Sequence, residues 1–165
     1  MEYVGQRNIK RLCNFYVSDL HLAVMLLPYI SKQIDEDVEI TTIFERLEKK
    51  NIEEILERLN IGNKNEILNI DWLNGNINTN IEIEKCINKR INDKKKKIFI
   101  IGGKREFIKM NNEVILNNIS IAGNCEAIKI IDCYNIEEIG LESQNIIKQY
   151  DGIVNTSGEI RVVNK

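Results

Sequence analysis

The chain has 165 residues, with 23 basic side chains, 25 acidic side chains and one histidine, and this length is typical of one domain. A net charge of −2 argues against a nucleic-acid-binding protein, because such domains carry a basic surface. The longest apolar run, Leu22 to Leu27, is far shorter than the roughly 20 residues that span a bilayer, and the N-terminus lacks the apolar segment of a signal peptide. We therefore predict one cytoplasmic domain over residues 1–165 that contacts neither nucleic acid nor membrane.

The N-terminal third predicts a strand, an apolar helix and a second strand. Residues 12–17 are apolar and aromatic, which favours a strand, and Ser18 can cap a helix over about 20–34. Pro28 lies inside this helix and is expected to kink or split it, because proline lacks the N–H and clashes with the preceding turn. Residues 38–44 alternate apolar and polar side chains, which predicts a half-buried strand.

The middle of the chain predicts two helices around a third strand. Asn51 is expected to cap a helix that Gly62 ends, and residues 67–72 are the next strand candidate. Thr79 and Glu82 match a capping box at the start of the second helix.

The C-terminal half begins with the most apolar strand. Residues 98–101 are continuously apolar, which is typical of a strand covered on both faces, and Gly102-Gly103 ends this strand before a helix. A further strand is predicted over 127–133, Asn135 is expected to cap the following helix, and 152–163 resembles a strand pair.

This alternation of strands and helices predicts the fold class. We expect a three-layer α/β/α domain of Rossmann-like or flavodoxin-like type with a mainly parallel sheet. Ligands of such sheets bind beyond the carboxyl ends of the strands. If strands 12–17 and 98–101 are neighbours, their ends border a topological switch point. The candidate ligand-binding residues at these ends are Ser18, Asp19, His21, Gly102, Gly103 and Lys104.

Gly102-Gly103-Lys104 is the best single candidate. Two glycines allow backbone N–H groups to approach an anion closely, and the following helix N-terminus provides further donors. The same residues, with Arg105, resemble a glycine–lysine turn of Rossmann-like sensor domains that bind cyclic oligonucleotides. We therefore expect a small-ligand-binding module for a phosphate-bearing or nucleotide-like molecule. The alternative is a plain strand-to-helix turn, because the sequence matches neither common phosphate-loop motif.

No catalytic machinery or cofactor is identified. His21 is the only histidine, and Ser18 and Asp19 lie too close to it in sequence for the geometry of a catalytic triad. Ser18 is more simply a helix cap. Whether the protein is an enzyme stays open.

Two short segments resemble metal-binding motifs of the metallophosphoesterases. Residues 17–22, which include Asp19 and His21, resemble the first motif, and 123–126 resembles the Gly-Asn-His motif. The resemblance implies Asp19, His21 and Asn124 as ligands. The family's Gly-Asp-x-x-Asp motif and its further histidines are absent, so a two-metal site cannot be completed and no metal is predicted.

The four cysteines, Cys13, Cys86, Cys125 and Cys133, lack C-x-x-C spacing. We interpret them as reduced, buried thiols of a cytoplasmic protein. The basic run 94–97 is interpreted as a solvated loop rather than a nucleic-acid contact, because the rest of the chain is not basic.

The first predicted helix suggests a second function. Its residues are apolar around almost the whole circumference, whereas a helix on a sheet normally keeps one polar face. We therefore expect helix 20–34 to contribute to a homodimer or to a protein-partner interface, in a non-catalytic protein. The alternative is that the fold covers this helix within one chain.

Overall fold

A computed structural model describes residues 9–74, 95–122 and 127–162, together with residues 81, 84–85 and 88–89. The strands are β1 Ile9–Tyr16, β2 Glu39–Phe44, β3 Asp71–Asn74, β4 Lys97–Gly103, β5 Ile128–Asn135, β6 Gly152–Asn155 and β7 Gly158–Arg161. The helices are α1 Asp19–Asp35, α2 Lys49–Leu56, α3 Lys64–Leu68, α4 Arg105–Ala122, α5 Ile136–Ile139 and α6 Ser143–Ile147, and a 3₁₀ turn at Gly140–Glu142 joins the last two. The predicted capping box of Thr79 and Glu82 lies outside the described residues.

The strands form one seven-stranded sheet in the order β3-β2-β4-β5-β1-β6-β7. Every neighbouring pair is parallel except β6 and β7, which are antiparallel. This confirms the predicted α/β class with a mainly parallel sheet. It also explains the apolar sequence of β4, all of whose residues are buried, because strands covered on both faces cannot alternate with polar residues.

The helices are divided between the two faces of the sheet. Helices α1, α2 and α3 pack with Leu12, Ile100 and Ile131 in one hydrophobic core, which we call face one. Helices α4, α5 and α6 pack with Cys13 and Ile101 in a second core, face two. Successive side chains of a strand point to opposite faces, so each central strand contributes to both cores and completes the three-layer arrangement.

Strand β2 is more buried than its alternating sequence predicts. Thr41 and Thr42 are both buried, because β2 lies between β3 and β4 rather than facing solvent. The Thr42 hydroxyl donates to the backbone oxygen of Asp71 at 2.9 Å. A threonine can therefore occupy an interior strand position when a neighbouring strand accepts the hydrogen bond of its hydroxyl group.

Helix boundaries in the first half differ from the predictions. Pro28 does not split α1, which runs uninterrupted from Asp19 to Asp35; burial of the residues on both sides of Pro28 offsets the lost hydrogen bond. Helix α2 begins before Asn51, whose Oδ1 accepts from the backbone N–H of Glu48 at 3.0 Å. Asn51 therefore stabilises the first turn from within.

The strand candidate 67–72 is largely wrong, because Ile67 and Leu68 close α3 and β3 starts at Asp71. The error has a physical reason: Ile67 is fully buried against face one, and a short apolar run does not distinguish a buried helical turn from a strand.

Lys97, the last residue of the basic run, is not part of a solvated loop. Its side chain is buried as the first residue of β4, and its ammonium lies 3.4 Å from Glu39 Oε2. It also donates to the backbone oxygen of Lys95 at 2.8 Å. The ion pair and the hydrogen bond allow the charge to be buried.

Glu159 connects the C-terminal hairpin, formed by β6 and β7, to the rest of the sheet through hydrogen bonds. Its carboxylate binds Lys10 Nζ at 2.9 Å, Lys129 Nζ at 2.5 Å and the Tyr29 hydroxyl at 3.0 Å. Although burial by itself raises the pKa of Glu159, the hydrogen bonds from Lys129, Lys10 and Tyr29 outweigh it and lower the pKa to about 2. One side chain of β7 thus joins β1, β5 and α1.

We expect Glu159→Gln to lower the free energy of unfolding at neutral pH by about 1–2 kcal/mol, because charged hydrogen bonds are lost and two lysines remain side by side. A carboxyl group whose pKa is lowered from 4.5 to about 2 stabilises the fold above pH 4.5 and loses this effect as the pH falls towards 2. Urea unfolding between pH 7 and 3 tests this. The difference in the free energy of unfolding between wild type and Glu159→Gln should become smaller towards pH 3. The control is Glu57→Gln, which changes an exposed acid directly after α2 and should have the stability of wild type at each pH. A difference that does not change with pH contradicts the prediction.

Candidate functional site

The predicted site residues lie in two separate places. Strands β1 and β4 are not neighbours, because β5 lies between them, so their carboxyl ends do not form a shared switch point. Two strand spacings place the ends roughly 10 Å apart. Ser18, Asp19 and His21 therefore form one group at the end of β1, and Gly102, Gly103 and Lys104 form another at the end of β4.

Ser18 and His21 stabilise the start of α1. The Ser18 hydroxyl accepts from the backbone N–H of His21 at 3.1 Å, which is N-cap geometry. The imidazole Nδ1 of His21 accepts from the backbone N–H of Val17 at 3.0 Å. Asp19 is the acid of the first turn. The side chains of Ser18 and His21 thus each accept a hydrogen bond from a nearby backbone N–H group.

Gly102 and Gly103 belong to β4 and are buried, rather than forming an open turn after it. The backbone N–H of Lys104 donates to Glu45 Oε1 at 2.8 Å, and that of Arg105 donates to Glu138 Oε1 at 3.0 Å. The carboxylate of Glu45, directly after β2, and that of Glu138, in α5, therefore occupy two of the donors on which the expected anion site depended. An incoming phosphate would have to displace both.

The need for glycine at position 103 is explained by Glu45. A Cβ atom at Gly103 would lie 2.7 Å from Glu45 Cβ and 2.9 Å from Phe107 Cδ2, and the backbone φ of +158° is unfavourable for other residues. Gly103 thus permits close packing between two segments of the protein itself, and any larger side chain at this position must displace Glu45 or Phe107.

We expect Gly103→Ala to lower the free energy of unfolding by about 1–3 kcal/mol through overpacking and backbone strain. Gly62→Ala is the matched control, because nothing lies within 4 Å of a Cβ at that position. Thermal and urea unfolding of both variants tests the difference. Equal stability of the two would contradict the described packing.

A buried polar cluster on face two is the strongest concentration of chemistry in the described chain. The Asp132 side chain has no exposed surface. Its Oδ1 accepts from Asn112 Nδ2 at 2.9 Å, and its Oδ2 accepts from Arg11 Nη2 at 3.1 Å and from the Tyr150 hydroxyl at 2.5 Å. Every contact is a donor, so the cluster is built to hold a carboxylate.

The cluster extends through Tyr150 to Tyr134. Their hydroxyl oxygens are 2.6 Å apart, and the Arg11 guanidinium lies 5.4 Å from the centre of the Tyr150 ring, within cation–π range. Burial raises the pKa of Asp132, while the hydrogen bonds from Tyr150 and Asn112 and the charge of Arg11 oppose that rise. Burial also raises the pKa of Tyr150, so this hydroxyl keeps its proton and donates a hydrogen bond to Asp132.

The cluster forms the floor of an open groove of about 400 Å³. We call this the face-two groove. Its walls are α4 on one side and the segment after α6 on the other. The lining residues are Arg11, Arg105, Ile108, Lys109, Asn112, Glu113, Leu116, Asp132, Tyr134, Gln149 and Tyr150. A groove with convergent polar groups and a carboxyl group of shifted pKa is a typical candidate ligand site.

The buried cysteines provide no nucleophile. Cys13 and Cys133 are free and buried, as predicted, whereas Cys86 and Cys125 lie outside the described residues. Burial, with a smaller effect of the Asp132 charge, raises the pKa of Cys13 to about 12. Burial also raises the pKa of Cys133. Both therefore remain thiols at neutral pH, and the thiolate is the reactive form.

A metal centre finds no support in the part of the chain that the structure covers, where no cluster of three His, Cys, Asp or Glu residues is placed to bind an ion. The second motif of the metallophosphoesterase resemblance, 123–126, lies outside the described residues. Within the same described ranges, no helix combines the length and the apolar character needed to cross a bilayer.

Most of α1 is covered by its own chain. Leu22, Met25, Leu26 and Leu27 are buried in the core of face one. Leu20 and Val24 are 60% and 38% exposed. They border a groove of about 450 Å³ between α1 and α2, whose apolar lining also includes Leu47, Ile55 and Leu59. The uncovered part of α1 is therefore one narrow stripe.

Comparisons of the chain with protein-family models, with curated proteins and with solved structures found no match. The functional argument therefore rests on the geometry of this chain.

Proposed function

We propose that the protein is a small-ligand-binding module whose ligand occupies the face-two groove. The observation that carries the proposal is the buried Asp132 cluster at the floor of this groove. Burying a carboxylate is costly unless it is fully bonded, and a hydrophobic residue of similar size would serve a plain core better. Polar groups fixed in this way orient ligands in binding pockets. Buried free thiols at Cys13 and Cys133 support our further proposal of a cytoplasmic location.

The hydrogen-bonding groups that remain available favour the face-two groove over the carboxyl edge of the sheet as the ligand site. At the edge, the backbone donors of Lys104 and Arg105 are already bound by carboxylates. In the groove, the backbone of α4 is satisfied within the helix, while its side chains Lys109 and Glu113 extend along one wall. The groove thus offers side-chain contacts, whereas at the edge the N–H groups of Lys104 and Arg105 are already bound.

The test is a thermal-shift screen with nucleotides and metabolites on wild type and on Gln149→Trp. Gln149 is exposed and lines the groove, whereas its neighbour Lys148 is exposed and does not. We expect a binding compound to raise the melting temperature of wild type by mass action. Gln149→Trp should lower the affinity for that compound at least tenfold, because the larger side chain fills the groove. Lys148→Trp should bind the compound with the affinity of wild type. A compound whose affinity is the same for all three proteins contradicts the proposed site.

The second candidate function is self-association without catalysis, with a second copy of the chain as the partner. The observation that favours it is the exposed pair Leu20 and Val24, which lie four residues apart on one side of α1 and so form a continuous apolar stripe. Symmetric pairing of two copies would cover this stripe and the adjacent groove.

We expect light scattering over a dilution series to detect a dimer of the wild-type protein, and Leu20→Glu to shift the chain to a monomer, because the charge would be buried at the interface. Leu141→Glu is the control, since Leu141 is 99% exposed and lies outside the α1–α2 groove. A wild-type chain that remains monomeric at the highest concentration excludes this function and leaves the ligand-binding proposal intact.

A further inference from the structure

Arg11 retains an unused donor inside the Asp132 cluster. Its Nη2 binds Asn112 Oδ1 at 3.0 Å and Asp132 Oδ2 at 3.1 Å. Its Nε is buried and has no hydrogen-bond partner among the described residues. A guanidinium carries five N–H donors and no acceptor, so only an acceptor atom can satisfy Nε. Nη1 also has no hydrogen-bond partner among the described residues and, unlike Nε, is not enclosed by the protein. Nη1 is therefore the donor that a ligand oxygen in the groove can reach.

The orientation of this guanidinium is fixed before any ligand arrives. Asp132 and Asn112 hold one edge of the planar group, and the Tyr150 ring lies against its face. Little side-chain entropy is therefore lost when a further hydrogen bond forms. The side chain is 37% exposed, so a molecule in the groove can reach the outer part of the guanidinium, although not the enclosed Nε.

Lys109 provides a second donor in the same groove. It is exposed on α4, and it forms no ion pair or hydrogen bond within the described ranges. Arg105 also lines the groove, but its guanidinium is bound to Glu142. The acids of the groove are Glu113 and the fully bonded Asp132. The donors that remain available in the groove are therefore positively charged groups: the guanidinium of Arg11 on the floor and the ammonium of Lys109 on the α4 wall.

We infer that the ligand of the face-two groove carries a phosphate group, which Arg11 and Lys109 bind together; this inference rests on the proposed function. A phosphate presents several acceptor oxygens and can meet donors on the floor and on a wall at once, and arginine is the side chain best shaped to bind it. The rest of the molecule lies along α4 towards Glu113 and Leu116. The ligand class is thus the one expected from the sequence. The proposed binding site, however, is the face-two groove and not the carboxyl edge of the sheet.

The experiment titrates inorganic phosphate, and the matched pairs adenosine with AMP and glucose with glucose 6-phosphate, into four proteins at constant ionic strength. The proteins are wild type, Arg11→Lys, Lys109→Gln and Lys104→Gln, and the melting temperature is followed. Arg11→Lys keeps a cation beside Asp132 but loses the planar fork. Lys109→Gln and Lys104→Gln remove the same charge from exposed positions five residues apart, and only Lys109 lines the groove.

We expect phosphate and the phosphorylated member of at least one pair to stabilise wild type. Binding should weaken at least tenfold in Arg11→Lys and in Lys109→Gln, and should change less than twofold in Lys104→Gln. If Arg11→Lys lowers the melting temperature without ligand, Lys109→Gln still decides the question, because an exposed lysine on a helix is not needed for folding.

Four results would overturn the inference. Equal stabilisation of all four proteins indicates a general salt effect. Loss of binding in Lys104→Gln alone places the phosphate at the end of β4. Stabilisation by adenosine or glucose equal to that by their phosphorylated forms rejects the phosphate and retains the proposed function. No stabilisation by any compound in these proteins, joined to a negative nucleotide and metabolite screen, rejects both.

Discussion

The carboxylate of Asp132 is the interaction on which the functional side of this fold depends. It lies in the middle of the sheet without exposed surface, and it is tolerated because three donors point at it. Each donor comes from a different element: Arg11 from β1, Asn112 from α4, and Tyr150 from the segment after α6. Removing one partner of such a group leaves a buried charge without compensation, which costs about 3–5 kcal/mol. The cluster therefore fixes the positions of α4 and of the segment after α6, the two walls of the face-two groove, relative to its floor.

Carboxylates are also paired with donors at the carboxyl edge of the sheet, but there the donors belong to the backbone. There the donors are backbone N–H groups at the start of α4, and the carboxylates of Glu45 and Glu138 bind them. This arrangement stabilises the helix, since acids are favoured at helix N-termini, and it occupies two of the backbone donors that a bound anion would use. The protein's own acids thus compete with an anion at the edge, while Arg11 and Lys109 remain available on face two.

Coverage of α1 shows how a seven-stranded sheet buries an apolar helix within one chain. β5 and β4 lie between β1 and β2 in the sheet, so α1 crosses from one to the other over the sheet centre. Helices α2 and α3 pack beside it in the core of face one. The hairpin of β6 and β7 adds the contact between Glu159 and the Tyr29 hydroxyl. The apolar side chains of α1 that remain exposed are Leu20 and Val24, and this confines any pairing of two copies through α1 to a small surface.

The sequence by itself determined the class of fold, because the hydrophobic pattern is local: the continuous apolar run of β4 and the caps at Ser18 and Asn135 could be identified one segment at a time. It also contained a sign of the cluster, since Asp132 interrupts an apolar strand. Only the tertiary structure decided the strand order, which separates β1 from β4 by β5. It alone decided which donors meet Asp132 and which acids occupy the start of α4. These pairings join residues from 18 to 121 positions apart, and no local pattern of side chains specifies a contact over such a separation.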